Sequence, residues 1–112
     1  MGARILVILG LALLLGMAQA FAQPGTSAPD AEYGKKLAGN LCSNCHLVGT
    51  GEQQQANADV PSFPEIANKE GQTAGSIMAH IVLPKHPMPT IPLTQSELAD
   101  LAAYILTLRE SK

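Results

Sequence analysis

The pattern of apolar and polar positions divides the chain into an apolar leader, a polar linker and several short amphipathic segments. Ile5 to Gly16 is almost purely apolar, Arg4 precedes it, and small residues follow at Ala18-Gln19-Ala20 and Ala20-Phe21-Ala22. This is the layout of a secretory signal peptide with an A-x-A cleavage site. A membrane span needs about 20 apolar residues, so a retained anchor fits this short run less well. The expected leader is 1–22, cut after Ala20 or after Ala22, and the pattern does not choose between the two.

A Pro/Gly/Ser/Thr stretch at 23–29 reads as a flexible lead-in to a domain at 30–112. Asp30 can cap a first helix running to about Leu41, with Tyr33, Leu37 and Leu41 as its apolar stripe. Gly34 and Ala38 form a second row of small residues that would let another backbone approach closely. Val48 to Pro61 is rich in Gly, Gln and Asn without periodicity and reads as loop, with no site expected between Gly49 and Asp59. Ser62-x-x-Glu65 is a capping box for a short helix through about Asn68. Thr73 to Leu83 follows as a helix with Ile77 and Ile81 stacked and Met78 and Val82 beside them. Pro84 ends it, because a residue before proline is pushed out of the α region. Lys85 to Pro92, with Pro87, Pro89 and Pro92, reads as an extended stiff loop. Thr94-x-x-Glu97 is a second capping box, with Leu93 and Leu98 as its hydrophobic staple. Leu98, Leu101, Ile105 and Leu108 then form the stripe of a last helix, bordered by Ala102 and Tyr104. No strand alternation and no internal repeat is seen, so the expected class is all-α.

Composition adds a constraint. The chain has 112 residues and no Trp, and beyond the leader its aromatics are Tyr33, Phe63 and Tyr104, with Phe21 at the cleavage region. A domain of this size with so few large side chains has a thin core, and a bulky apolar cofactor would fill it. Without Arg4, six basic side chains stand against nine acidic ones, a formal balance of −3. That lacks the basic footprint of a nucleic-acid binder and identifies no partner.

The chemistry concentrates at Cys42-Ser43-Asn44-Cys45-His46, the C-x-x-C-H pattern of covalent haem attachment. Two thiols three residues apart, at a helix end and its following turn, can reach the two vinyl-derived carbons on one porphyrin edge. The adjacent imidazole is then carried to the iron. A thioredoxin-like redox pair would call for a βαβ context. A structural zinc would need four ligands, and His80 and His86 fit no common zinc spacing with the Cys pair. A plain disulfide across two residues would close a tight, strained loop.

A sixth iron ligand is sought next. Beyond the leader only Met78 and Met88 are methionines. Met78 lies inside a predicted helix, where methionine is ordinary core filler. Met88 lies between Pro87 and Pro89, about forty residues after His46. The flanking prolines restrict the loop and so favour a fixed sulfur; a His/Met pair raises the potential. His86 in the same loop is the rival, giving bis-His iron, and His80 reads as a satisfied or partly exposed histidine.

From about Asp30 to Arg109 the chain resembles the class I cytochromes c. The resemblance rests on C-x-x-C-H, on Gly34 and Ala38 before it, on the Met-Pro segment, and on Leu-Thr-x-x-Glu-Leu-x-x-Leu-x-x-Tyr-Ile with its Tyr104. It implies three to five helices around one covalent haem c, with His46 and Met88 as iron ligands. It also implies a proline carbonyl that accepts the His46 Nδ1–H: Pro61 matches best and Pro64 is the alternative. Phe63 and Ile66 would line the haem or be ordinary core; Lys85 would lie near the exposed edge.

The expected function is a soluble, periplasmic or otherwise exported monohaem electron carrier, a monomer and not an enzyme. It would pass one electron from a dehydrogenase or quinol-oxidising complex to a terminal oxidase or reductase, meeting membranes only transiently through those complexes. The alternative is a permanent c-haem subunit of a dehydrogenase or oxidase complex; a third reading is an open iron, as in a peroxidase or sensor.

Overall fold

A computed structural model of the chain describes residues 27–51 and 59–111. The expected signal peptide, both cleavage sites and most of the lead-in lie outside the described residues. Among those described there are four helices and no strand: α1 (Ala31–Leu41), α2 (Phe63–Asn68), α3 (Ala74–Val82) and α4 (Gln95–Thr107). The all-α expectation holds.

Each helix begins where a short polar side chain satisfies an amide that has no partner within the helix. The Asp30 carboxylate accepts the Tyr33 N–H at 3.0 Å. At α2 the Glu65 N–H donates to Ser62 Oγ at 3.3 Å while the Glu65 carboxylate accepts the Ser62 N–H at 2.6 Å. Thr94 and Glu97 repeat this reciprocal pair at α4, at 3.2 and 2.8 Å. A third box at α3 uses Ser76 in place of a carboxylate: its N–H donates to Thr73 Oγ1 at 3.1 Å and its Oγ accepts the Thr73 N–H at 3.0 Å.

In both acidic boxes the hydrogen bonds from the cap backbone, then from the cap hydroxyl, hold the Glu65 and Glu97 carboxyls below their ordinary value. Such a lowered folded-state pKa contributes stability above the ordinary value near 4.5, lost as pH falls through the folded-state value. Thr94→Ala is accordingly expected to cost about 1 kcal/mol in denaturant unfolding at neutral pH. The difference from the parent should shrink as pH falls below the carboxylate range.

α4 packs against all three other helices, most extensively against α1. Ala38 and Ala102 are fully buried where these two helices lie together. The Tyr33-Leu37-Leu41 stripe is not the buried face of α1. Leu37 is buried, but Tyr33 and Leu41 are 42% and 41% exposed. The face toward α4 is instead Gly34, Leu37 and Ala38, and at Gly34 the α4 backbone comes too close to admit any side chain. On α3, Ile77 and Ile81 are buried and Met78 is half-buried, whereas Val82 is more than half exposed. The stretch from Lys85 is not extended throughout. The Met88 N–H donates to the Lys85 carbonyl at 3.0 Å, closing a turn that contains a cis His86–Pro87 bond.

Candidate functional site

The site starts where α1 stops. The Cys42 N–H still donates to the Ala38 carbonyl at 2.9 Å, and the next turn closes on Cys42 itself, whose carbonyl accepts from Cys45 N–H at 3.2 Å and His46 N–H at 2.9 Å. This single turn buries the Cys42 side chain and leaves Cys45 exposed. Burial pushes the free Cys42 thiol up to about 11, so it is protonated at neutral pH.

His46 Nδ1 lies 2.7 Å from the Pro61 carbonyl oxygen. A carbonyl only accepts, so Nδ1–H is the donor and Nε2 keeps its lone pair for a metal. The Pro64 carbonyl is engaged elsewhere, accepting Asn68 Nδ2–H at 2.8 Å. Pro61 is held opposite the motif because the Phe63 N–H donates to the Leu47 carbonyl at 2.8 Å. The Phe63 ring then sits between His46, with centroids 5.4 Å apart, and Tyr104 at 6.4 Å. Tyr104 OH donates to the Val48 carbonyl at 2.5 Å, tying α4 to the segment after the motif. Burial, and secondarily the Glu32 charge, raise the Tyr104 pKa, which keeps this donor protonated.

These side chains face a cavity of about 570 Å³, within the usual range of small-molecule and cofactor sites. Cys42, His46, Pro61 and Met88 all line it. Its apolar wall comes from Phe63, Ile66, Ile77, Ile81 and Ile105. Cys45 is not on the cavity wall, although its turn places it one residue from His46.

Of the rival iron donors, Met78 and His86 do not line the cavity. Met78 packs against the core instead, and His86 is exposed. His80 does line it, from the exposed side of α3, with its Nδ1–H donated to the Ser76 carbonyl at 2.8 Å. Asn68, Lys69 and Gln72 form a polar wall that sequence periodicity gave no reason to single out. Asn68 ends α2 and the other two lie in the connection to α3, where no repeat of hydrophobic positions marks an inward face.

A mostly apolar space bordered by a cysteine, an imidazole with Nε2 bare and a thioether fits a haem. Two thiolates would favour zinc only with further donors, and no group of three or more His, Cys, Asp or Glu is arranged for a metal ion among the described residues.

The cytochrome c family model matches residues 31–109, from the first residue of α1 to two residues beyond α4. The chain is also 37% identical over 100 residues to cytochrome c-552 of Bradyrhizobium diazoefficiens, a match spanning 89% of this chain and 93% of that one. No solved structure gives a significant match. The chain belongs to the cytochrome c family, and is an electron-transfer protein with covalently bound haem c rather than an enzyme.

Proposed function

We propose that the protein is an exported, soluble, monomeric single-haem shuttle that carries one electron from a dehydrogenase or quinol-oxidising complex to a terminal oxidase or reductase. The observation that carries this reading is the gathering of Cys42, His46 and Met88 around one cavity, with His46 already oriented by Pro61. When bound, the haem supplies a one-electron Fe(II)/Fe(III) couple.

The chain's own residues do the rest. Cys42 and Cys45 would form the thioethers that prevent loss of the group. His46 offers Nε2 to the iron, and the Nδ1–H bond to the Pro61 carbonyl raises its basicity and fixes its plane. Met88 offers a thioether from a turn closed by its own N–H on Lys85 and flanked by two prolines. A ligand held this way moves little between oxidation states, which keeps the reorganisation cost of each transfer small. The isoleucines on the wall limit water and so support a higher potential. Export is supported by the Arg4 to Ala22 leader pattern, which delivers a chain to compartments where such haem is attached. Among the described residues no helix is long and apolar enough to cross a membrane.

The test is made on the native holoprotein. Haem absorbance should remain with the polypeptide after full denaturation and should be lost from the Cys42→Ala/Cys45→Ala variant. Gel filtration of a native extract, followed at the haem band, should show elution at the mass of one small chain. Elution only at high mass would replace the shuttle with a permanent subunit of a larger complex.

A further inference from the structure

The polar wall of the cavity is held from an unexpected place. Arg109, two residues after the end of α4, donates through Nε to the Ala67 carbonyl at 3.0 Å and through Nη2 to the Gln72 carbonyl at 2.7 Å. Ala67 is in the last turn of α2, so its carbonyl is among those left without a helical partner. The next residue continues the attachment: Glu110 N–H donates to Asn68 Oδ1 at 3.0 Å.

Two of the residues so gripped, Asn68 and Gln72, belong to the cavity wall. Gln72 turns its side chain back, donating Nε2–H to the Ile66 carbonyl at 3.0 Å and accepting from Ser76 Oγ at 2.5 Å. The Ser76 carbonyl in turn accepts from His80. Ile66, Asn68, Lys69, Gln72 and His80 all line the cavity that contains His46 and Met88. A hydrogen-bonded series therefore runs from Arg109, just beyond α4, through Gln72 and Ser76 to His80, along one side of the site.

We infer that Arg109 is a positioning residue for electron transfer: its two-armed grip on Ala67 and Gln72 holds the α2–α3 connection closed over the haem and thereby keeps water from that side. The inference rests on the cavity being the haem site. The guanidinium is suited to this task because it is planar and always charged, and it spans two carbonyls at once. A lysine retains the charge but cannot reproduce the fork.

The test compares holoprotein carrying Arg109→Gln and Arg109→Lys with the parent. Amide hydrogen exchange at Lys69 and Gln72, whose N–H groups donate to Ile66 and Lys69 carbonyls, reads opening of the wall. Exchange there should rise about tenfold or more in both variants, the loss expected for a charge-assisted bond. The central amides of α1 and α4 should be unchanged. The midpoint potential should fall in both variants, because water at the opened wall favours the ferric state.

A potential that falls in Arg109→Gln but is retained in Arg109→Lys would mean that only the charge matters, and would overturn the inference. So would a lowered melting temperature with unchanged potential and unchanged Lys69 exchange. The haem-site reading is judged separately, on the parent protein's ferric sulfur-to-iron charge-transfer band. If that band is absent while the Arg109 variants still open the wall, the ligand assignment fails and the positioning role stands.

Discussion

Met88→Ala is expected to abolish the ferric sulfur-to-iron charge-transfer band and to lower the midpoint potential by an amount of order 0.2 V. That is about a quarter of the ~0.8 V range over which axial ligands set haem potentials. The thioether stabilises the ferrous state relative to harder donors, so its removal leaves the iron to water or a nitrogen base and favours the ferric state. Met88 is half-buried, packs against the core and lines the cavity. Two control substitutions isolate the ligand role. Met78→Leu removes the other methionine outside the leader, but Met78 sits against the core away from the cavity wall, so the potential should hold. His86→Ala removes the imidazole two residues from Met88, and since His86 is exposed and off the wall the spectrum should be unaltered. If the band survives in Met88→Ala and disappears in Met78→Leu, the assignment of the thioether is reversed.

The distinction between Met78 and Met88 shows what the sequence could and could not settle. Met78 reads as filler from its neighbours Ile77 and Ile81, and it packs against the core. The prolines around Met88 mark a restricted loop, but not the direction in which it turns. That depends on the bond from the Met88 N–H to Lys85 and on how Met88 packs against the core. The helix starts were readable because capping is local: Ser62 with Glu65 and Thr94 with Glu97 lie three residues apart. Thr73 with Ser76 is the same device with a weaker signature, since serine is common in many settings.

Long-range polar contacts left no such trace. Asp100 interrupts the apolar run of α4 and resembles a solvated position, yet it is only 7% exposed. Its carboxylate accepts the Asp30 N–H at 2.7 Å, joining the start of α1 to the middle of α4 across 70 residues. Arg109 likewise looks like an ordinary charged residue beyond a helix end, and its partners lie 42 and 37 residues earlier. Neither contact follows from periodicity, propensity or spacing. Both replace water on backbone groups where elements end, so the fold can be read from the helices while its fastenings cannot.

Small residues carry the converse lesson, and it yields an expected result of opposite sign at two nearby positions. In a solvent-facing helix, Gly→Ala stabilises by about 0.5–1 kcal/mol, since glycine loses more backbone freedom on folding. Gly39 is exposed on α1, and a Cβ there would meet nothing within 4 Å. Gly39→Ala should therefore raise stability by roughly that amount. At Gly34 the same methyl group would overlap the Asp100 carbonyl oxygen, at 2.5 Å from the carbonyl carbon and 3.0 Å from the Leu101 nitrogen. These are backbone atoms in the middle of α4, so relief requires α1 and α4 to separate. Overpacking of this kind costs about 3 kcal/mol or more, which exceeds the propensity gain by about 2 kcal/mol. For a domain of this size the melting temperature of Gly34→Ala should fall by roughly 10–15 °C. The consequence reaches the cavity, because Cys42, which follows directly on α1, and Ile105 of α4 both line it. Separating the two helices would shift Cys42 relative to Ile105 and loosen the cavity wall, so the potential of Gly34→Ala should fall with its stability while that of Gly39→Ala stays at the parent value. Equal stabilisation by both substitutions would mean that α4 does not cross α1 at Gly34.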